Sequence, residues 1–129
     1  MTQEEKQLLV KDICARIPFG LKCTTKANSW QGAYPIKGYL DDKIFLDCHE
    51  YNEGDDEWLV QNIVPYLRLL SIMTKKEKKE YDKLRMSFYK NAKDASLVLI
   101  DWLNAHHFDY RGLIEKGLAL AAPEGMYNN

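Results

Sequence analysis

The stretch "AYPIKGYLDDKIFLDC", residues 33–48, predicts a β-hairpin in this 129-residue chain. Two short apolar runs flank Asp41 and Asp42, and acidic residues of this kind suit a tight turn between strands. Because side chains alternate along a strand, each run is predicted to have one apolar face. The faces are formed by Ile36 with Leu40, and by Ile44 with Leu46 and Cys48. The proline at position 35 indicates that the first strand begins there or lies at a sheet edge.

A helix is predicted on the N-terminal side of this hairpin. Thr2 and Glu5 have the spacing of a capping box, in which each residue bonds to the backbone of the other. Leu9, Ile13 and Ile17 then recur at helical intervals. A proline and a glycine end the pattern within three residues. Between this helix and the hairpin, alternating residues from position 21 to 25 indicate a further strand.

The C-terminal half is predicted to be mainly helical. Thr74 and Glu77 repeat the capping-box spacing before an apolar stripe. A second helix is predicted to end at about Ala105, and a short third helix to run from Asp109 to Leu118. Residues 58–70 are open to either a helical or an extended interpretation, and we expect Pro65 to divide them.

These elements predict one α+β domain over residues 1–122, followed by a polar C-terminal tail over residues 123–129. The domain comprises an N-terminal helix, a small antiparallel sheet of three to five strands, and C-terminal helices. The chain length is typical of a single domain with a hydrophobic core of its own.

Composition narrows the possible classes of protein. Apolar residues make up 46% of the chain and charged residues 29%, values that argue against extensive disorder. The formal net charge of −1 argues against general binding to polyanions. Three cysteines, no signal peptide and no long apolar run lead us to expect a soluble, reduced, cytoplasmic protein that does not enter a membrane.

Two adjacent histidines, His106 and His107, fall near the end of the second C-terminal helix, with Tyr110 and Arg111 close behind. Adjacent helix residues point about 100° apart, so one metal ion is a poor fit for both imidazoles. Imidazoles near a helix C-terminus bond to free carbonyls, and Asp109 suits the cap of a following helix. We interpret these residues as a helix stop and a helix start, with a catalytic or ligand-binding role as the alternative.

Motifs for metals, cofactors and covalent catalysis are poorly matched. Cys48 and His49 are neighbours, and neither a C-x-x-C nor an H-x-x-x-H spacing occurs. "GLIEKG" lacks the lysine and hydroxyl residue of a phosphate loop, and the acidic stretch over residues 47–57 does not follow the order of a calcium loop. We therefore expect no resident metal, no cofactor and no catalytic residue.

The helix predicted over residues 75–90 has a basic face and an apolar face. Such a basic face suits phosphates or an acidic partner, although acidic residues lie between the lysines. The candidate binding residues on this face are Lys75, Lys76, Lys79, Lys83 and Lys90.

Three blocks carry a resemblance: "MTQEEKQLLVKDICARIPFG", "PYLRLLSIMTKKEKKEY" and "IDWLNAHHFDYRGLIEKGLALAAPEGMY". They resemble short proteins of gut bacteria and of their phages or integrated elements, a group without an established activity. The resemblance covers both ends and the middle of the chain, and residues 21–64 diverge most. It implies an accessory protein of mobile-element origin and carries no functional residue over.

The sequence thus favours a small, non-enzymatic protein-interaction or regulatory protein with an unidentified protein partner. Several aromatic residues in predicted loops or element ends support this interpretation, because such residues are enriched at interfaces; they are Trp30, Tyr34, Trp58 and Tyr110. The alternative is a nucleic-acid-binding module that uses the basic face of helix 75–90. Self-association remains open, because residues 41–57 are acidic and residues 75–93 are basic.

Overall fold

The computed structural model describes residues 1–26, 32–47, 57–87 and 92–127. It has a mixed α+β architecture, as predicted, with an N-terminal helix, one six-stranded sheet and two helices in the C-terminal half. The helices are α1 (Gln3–Arg16), α2 (Lys75–Ser87) and α3 (Ala92–Ala105). The strands are β1 (Lys22–Thr25), β2 (Tyr34–Leu40), β3 (Lys43–Leu46), β4 (Glu57–Leu59), β5 (Ile63–Leu67) and β6 (Leu120–Ala121).

The sheet has the order β4-β3-β2-β1-β5-β6 and is antiparallel except where β6 pairs parallel to β5. Its six strands exceed the predicted three to five. The additional strand is β6, which has two residues and is too short to leave an alternating pattern in the sequence.

The predicted hairpin forms between β2 and β3. Asp41 and Asp42 have positive φ angles of 51° and 62°, as in the two-residue turns whose backbone twist matches the right-handed twist of the flanking strands. The expected common face of Ile36 and Leu40 is wrong, since Ile36 is buried and Leu40 is exposed. A register shift between Ile36 and Gly38 is the cause, because a bulge moves later side chains to the other face.

The segment left open over residues 58–70 is largely extended, with a 3₁₀ turn over Val60–Asn62 between β4 and β5. Pro65 does not divide it, since this proline lies inside β5 opposite Cys23. Two residues later, the Leu67 carbonyl faces β6 and accepts from the Ala122 N–H at 2.7 Å. Backbone groups of residues two apart in a strand face the same side, so the backbone nitrogen of Pro65, like the Leu67 carbonyl, faces away from β1. The N–H that proline lacks is therefore not needed for pairing with β1.

Both predicted capping boxes are present and fix the starts of α1 and α2. Thr2 Oγ1 accepts from the Glu5 N–H at 3.0 Å, and Glu5 Oε1 accepts from the Thr2 N–H at 2.9 Å. Thr74 and Glu77 make the same reciprocal pair at 3.1 and 2.9 Å. Each box satisfies two backbone donors that a helix leaves free at its first turn.

The short helix predicted from Asp109 to Leu118 is wrong. Asp109 does cap the segment, since its carboxylate accepts from the N–H groups of Leu113 and Ile114 at 2.9 Å each. The chain then forms turns instead of a helix, with positive φ angles at Gly112 and Gly117. These turns lead into β6.

One hydrophobic core lies between α1, the sheet and the turns after α3. Its fully buried members include Leu9, Ile13, Leu21, Ile44, Leu46, Leu67 and Leu113. Tyr127 ties the predicted polar tail to this body, because its hydroxyl donates to the Tyr66 carbonyl at 2.7 Å and accepts from the Lys22 N–H at 3.1 Å. Across the described residues, no helix combines the length and apolar character of a membrane span.

Candidate functional site

The two adjacent histidines form the turn that ends α3. His107 has a φ angle of 60°, in the left-handed region. The His107 N–H donates to the Asn104 carbonyl at 3.1 Å, and the Phe108 N–H donates to the Leu103 carbonyl at 3.0 Å. These are the two bonds of a Schellman motif, in which glycine usually holds the left-handed position. The helix stop predicted here is confirmed.

Contacts of its imidazole ring hold His107 at this position. The ring is 3% exposed and stacks on Tyr127 with 3.9 Å between centroids. Nε2 lies 2.9 Å from the Phe19 carbonyl, an acceptor, so Nε2 carries the proton of a neutral ring. Nδ1 has no hydrogen-bond partner within the described ranges. Burial, followed by the nearby Arg16 cation, lowers the pKa of His107 to about 4.

This lowered pKa predicts a loss of stability in mild acid. The imidazole takes up a proton near pH 6.5 when exposed and near pH 4 in the folded protein, so the unfolded state binds more protons between these values. The free energy of unfolding is expected to fall by about 2 kcal/mol from pH 7.5 to pH 5, as measured by urea denaturation.

The matched variants for this pH effect are His107→Asn and His106→Asn. Asparagine tolerates a positive φ, so His107→Asn keeps the turn and removes the titrating ring. We expect it to flatten the pH dependence of stability between pH 7.5 and pH 5, whereas His106→Asn retains it. Equal pH dependence in wild type and His107→Asn would show that the imidazole is not the cause.

His106 faces a different part of the molecule. Its ring lies 4.4 Å from that of Trp102, one helical turn earlier, as the spacing predicted. Its Nδ1 lies 3.3 Å from Glu77 Oε2. Its backbone carbonyl accepts from Arg68 Nη1 at 3.2 Å. His106 therefore connects the end of α3 with the start of α2 and the end of β5.

A bidentate ion pair between Arg68 and Glu77 lies at the centre of that connection. Arg68 donates from Nη1 and Nη2 to the two carboxylate oxygens of Glu77 at 2.7 and 2.8 Å, and both side chains are buried. Hydrogen bonds from Arg68 lower the pKa of Glu77 to about 2, against the opposing effect of burial. The Arg68 guanidinium also lies 4.2 Å from the centroid of the Phe108 ring.

A second buried ion pair lies on α1 between Asp12 and Arg16, and Arg111 joins it from the turn after α3. Asp12 and Arg16 are both fully buried on α1, and Arg16 donates from Nε and Nη2 to the Asp12 carboxylate at 3.0 and 3.1 Å. Arg16 Nη2 also donates to the Phe108 carbonyl at 2.6 Å. Arg111 Nε reaches the same carboxylate at 3.1 Å. The turn after α3 is thereby bonded to α1.

Tyr110 lies between the two arginines of this cluster. The Arg16 and Arg111 guanidinium carbons lie 5.2 and 4.9 Å from its ring centroid. The Tyr110 hydroxyl donates to Asn104 Oδ1 at 2.8 Å and accepts from Arg111 Nη2 at 3.2 Å. Tyr110 and Arg111, both candidate binding residues, therefore make contacts that hold the turn after α3 against α1 and α3.

The four candidate residues after α3 thus have three separate surroundings. His106 faces α2, His107 faces the Phe19 carbonyl and Tyr127, and Tyr110 with Arg111 faces α1. Catalysis needs groups that converge on one reacting atom, and these side chains do not converge. Among the described residues, no group of three or more histidine, cysteine or acidic side chains is placed to hold a metal ion.

Sequence reasoning missed the charged residues that organise this region. Asp12 and Arg16 have the four-residue spacing of a helical ion pair, but that spacing does not show that the pair is buried. Arg68 and Glu77 lie on a strand end and a helix start. Arg68 and Arg16 reach the turn after α3 across 38 and 92 positions in sequence.

The structure divides the predicted basic face of α2. A groove of 670 Å³ between the 3₁₀ turn at Leu70–Ile72 and α2 includes Lys75 and Lys79, but neither Lys76 nor Lys83. Lys76 and Lys83 are exposed next to Lys79, about 60° and 40° further round the helix from it, and do not line the groove. Lys90 lies outside the described residues.

Lys78 and Arg85 complete the groove, although the sequence analysis did not select them. Their cationic groups lie 5.5 and 5.4 Å from the Tyr81 ring centroid, within cation–π range. The ring of Tyr81 stacks on Trp102 with 6.0 Å between centroids and 11° between planes. Leu70 and Met73 form an apolar wall of the groove. We call this feature the basic groove.

The helical layer also exposes large apolar side chains. On α3, Leu97 is 64% exposed, Val98 50% and Ile100 39%. We call these three residues the α3 apolar surface. Met86, near the end of α2, is exposed to a similar degree. Single exposed apolar residues are normal on proteins, whereas a contiguous exposed apolar patch is typical of a contact surface.

Comparison of the chain with protein-family models, with curated proteins and with solved structures gave no match.

Proposed function

We propose that this protein is a small, non-enzymatic interaction protein that binds a protein partner through the α3 apolar surface. The single observation that carries the proposal is the exposure of Leu97, Val98 and Ile100 along one helix. Burying a large apolar side chain contributes roughly 1.5–3 kcal/mol. Leu97 lies between the other two residues, with Ile100 about 60° and Val98 about 100° round the helix from it, so Leu97 with its neighbours can supply the centre of an interface. The proposed mobile-element origin, taken from the resemblance, is in keeping with an accessory role.

We propose that exposed lysines of the neighbouring helix form a basic rim for this surface. Lys76 and Lys83 are exposed on α2, the helix that packs against α3, and neither lines the basic groove. An interface commonly has an apolar centre and a polar rim with complementary charge. The partner that fits is therefore a protein with an apolar patch bordered by aspartate or glutamate.

The framework role of the residues after α3 supports a non-enzymatic protein. Their polar groups are bonded to backbone carbonyls and to buried ion pairs, at distances of 2.6 to 3.3 Å. Groups that are engaged in this way are poorly available to a substrate.

The test compares cross-linking and affinity at two matched positions. A photoreactive phenylalanine derivative is placed at position 97, or at position 40 as a control, because Leu40 is 62% exposed at the turn of the β2–β3 hairpin. A captured protein is then purified and titrated against wild type, Leu97→Ser/Val98→Ser and Leu40→Ser. We expect position 97 alone to cross-link, and the double variant to bind at least about tenfold more weakly.

Two results would contradict the proposal. One is equal affinity of the wild type and Leu97→Ser/Val98→Ser for the captured protein. The other is capture of nothing except further copies of this chain, which would identify the α3 apolar surface as a self-association surface.

A further inference from the structure

The basic groove has a local charge opposite in sign to that of the whole chain. Among the described residues, the side chains that line it include four cations and no carboxylate, whereas the formal net charge of the protein is −1. The cations are Lys75, Lys78, Lys79 and Arg85. Asp82 approaches Lys78 at 3.4 Å, but both members of that pair are more than half exposed, and such pairs are weak. The groove therefore attracts anions.

The nearest buried carboxylate does not cancel this charge. Glu77 is directed away from the groove, toward Arg68, and its two oxygens are engaged by the guanidinium at 2.7 and 2.8 Å. That ion pair and the capping box with Thr74 also fix the first turn of α2. The groove is thus formed before any ligand arrives, which lowers the entropic cost of binding.

One wall of the groove is apolar and aromatic. Leu70, Met73 and Tyr81 lie beside the cations, and the stack of Tyr81 on Trp102 orients the ring. The ligand that fits has regularly placed negative charges and flat apolar groups. The volume of 670 Å³ is within the range of about 300–1,000 Å³ that is typical of small-ligand sites.

We propose that the basic groove binds single-stranded nucleic acid, with phosphates on the four cations and bases against Leu70, Met73 and Tyr81. Sites for single strands combine a positively charged groove with aromatic side chains, and both are present here. A duplex is a poor fit, because its bases are stacked inside and proteins read it by inserting an element into a groove about 12 Å wide. Three of the four cations are lysines, which act on phosphates as point charges, whereas planar carboxylate recognition favours arginine.

This inference is independent of the proposed protein partner. It depends on the residues that line the basic groove, whereas the proposed function depends on the α3 apolar surface and on Lys76 and Lys83, which do not line the groove. Loss of one activity in the corresponding variant leaves the other intact, so the two proposals fail separately.

The experiment measures binding of fluorescein-labelled oligo-dT of 12 nucleotides by fluorescence anisotropy over a range of salt concentrations. The groove variant is Lys75→Gln/Lys78→Gln/Lys79→Gln/Arg85→Gln. The matched control is Lys76→Gln/Lys83→Gln, which removes two exposed lysines of α2 that do not line the groove. Glutamine retains good helix propensity, and thermal melts followed by circular dichroism check that both variants fold.

For the wild type we expect log K to fall with log salt with a slope of about −2 to −3, as three to four contacts with single-strand phosphates require. The groove variant is expected to bind at least about 100-fold more weakly in low salt, and the control within about threefold of wild type. A single Arg85→Gln variant, which alters one exposed side chain, is expected to make the slope shallower by about 0.7.

Three outcomes would overturn the inference. They are no binding of the wild type in low salt, an equal loss in the Lys76→Gln/Lys83→Gln control, and equal or tighter binding of an oligo-glutamate peptide of the same charge. The last result would identify an acidic protein segment as the occupant of the groove.

Discussion

Replacement of Asp12 by alanine is expected to lower the free energy of unfolding by about 3–5 kcal/mol, because it leaves the fully buried Arg16 charge without its counter-ion. The same change removes the acceptor for Arg111 Nε. A domain is commonly stable by only about 5–15 kcal/mol, so this loss is a large fraction of the total stability. Urea denaturation at neutral pH measures the effect.

The control for this prediction is Asp82→Ala. Asp82 and Lys78 form an ion pair with the same four-residue spacing as Asp12 and Arg16, but both are exposed. We expect Asp82→Ala to change the free energy of unfolding by less than about 1 kcal/mol. A similarly small change for Asp12→Ala would contradict the account of this ion pair.

Replacement of Phe108 by alanine is expected to cost about 3–5 kcal/mol, since it opens a cavity beneath the turn after α3. The Phe108 ring is fully buried, lies 4.2 Å from the Arg68 guanidinium and stacks on Trp102 at 5.7 Å. Loss of the ring also removes apolar support from the Arg68–Glu77 ion pair. Thermal and urea unfolding provide the measurement.

Phe19→Ala is the matched control, because Phe19 is a phenylalanine in the same neighbourhood whose side chain is 39% exposed. We expect it to cost less than half as much as Phe108→Ala, since less of its surface is removed from water on folding. Its backbone carbonyl, which accepts from His107, is unchanged by this substitution. Equal losses for the two phenylalanines would show that the position beneath the turn is not special.

The local features of this fold were predictable from the sequence. The capping boxes at Thr2 and Thr74 and the end of α3 at Ala105 depend on residues a few positions apart. The turn at Asp41 and Asp42 likewise depends on residues that are close together in sequence. Local propensity and the final fold agree at these positions, as expected of a sequence that folds to one structure.

Features set by distant contacts were not predictable. The segment after Asp109 has apolar residues at helical intervals, yet the parallel pairing of Leu120 and Ala121 with β5 directs it into turns and a strand. The bulge after Ile36 turned Leu40 outward. In both places, tertiary contacts override a periodic pattern.

At the candidate site, the position of the histidines at a helix end was predictable from the sequence, whereas their contacts with distant elements were not. The structural interpretation of His106 and His107 followed from their place at a helix end, and the geometry supports it. Their partners did not follow, because the Phe19 carbonyl and Glu77 come from other elements. Lys78 and Arg85 were overlooked because the groove that unites them depends on the turn at Leu70–Ile72.

Our central proposal is that the rings following α3 maintain the fold and perform no chemistry. Its most direct test is a pH titration of the His107 imidazole nitrogens by ¹⁵N NMR. The account predicts a neutral ring with its proton on Nε2 from pH 8 down to pH 5, and a pKa near 4. A pKa near 6.5, or a ring whose resonances shift on addition of a metal ion or small ligand, would contradict it.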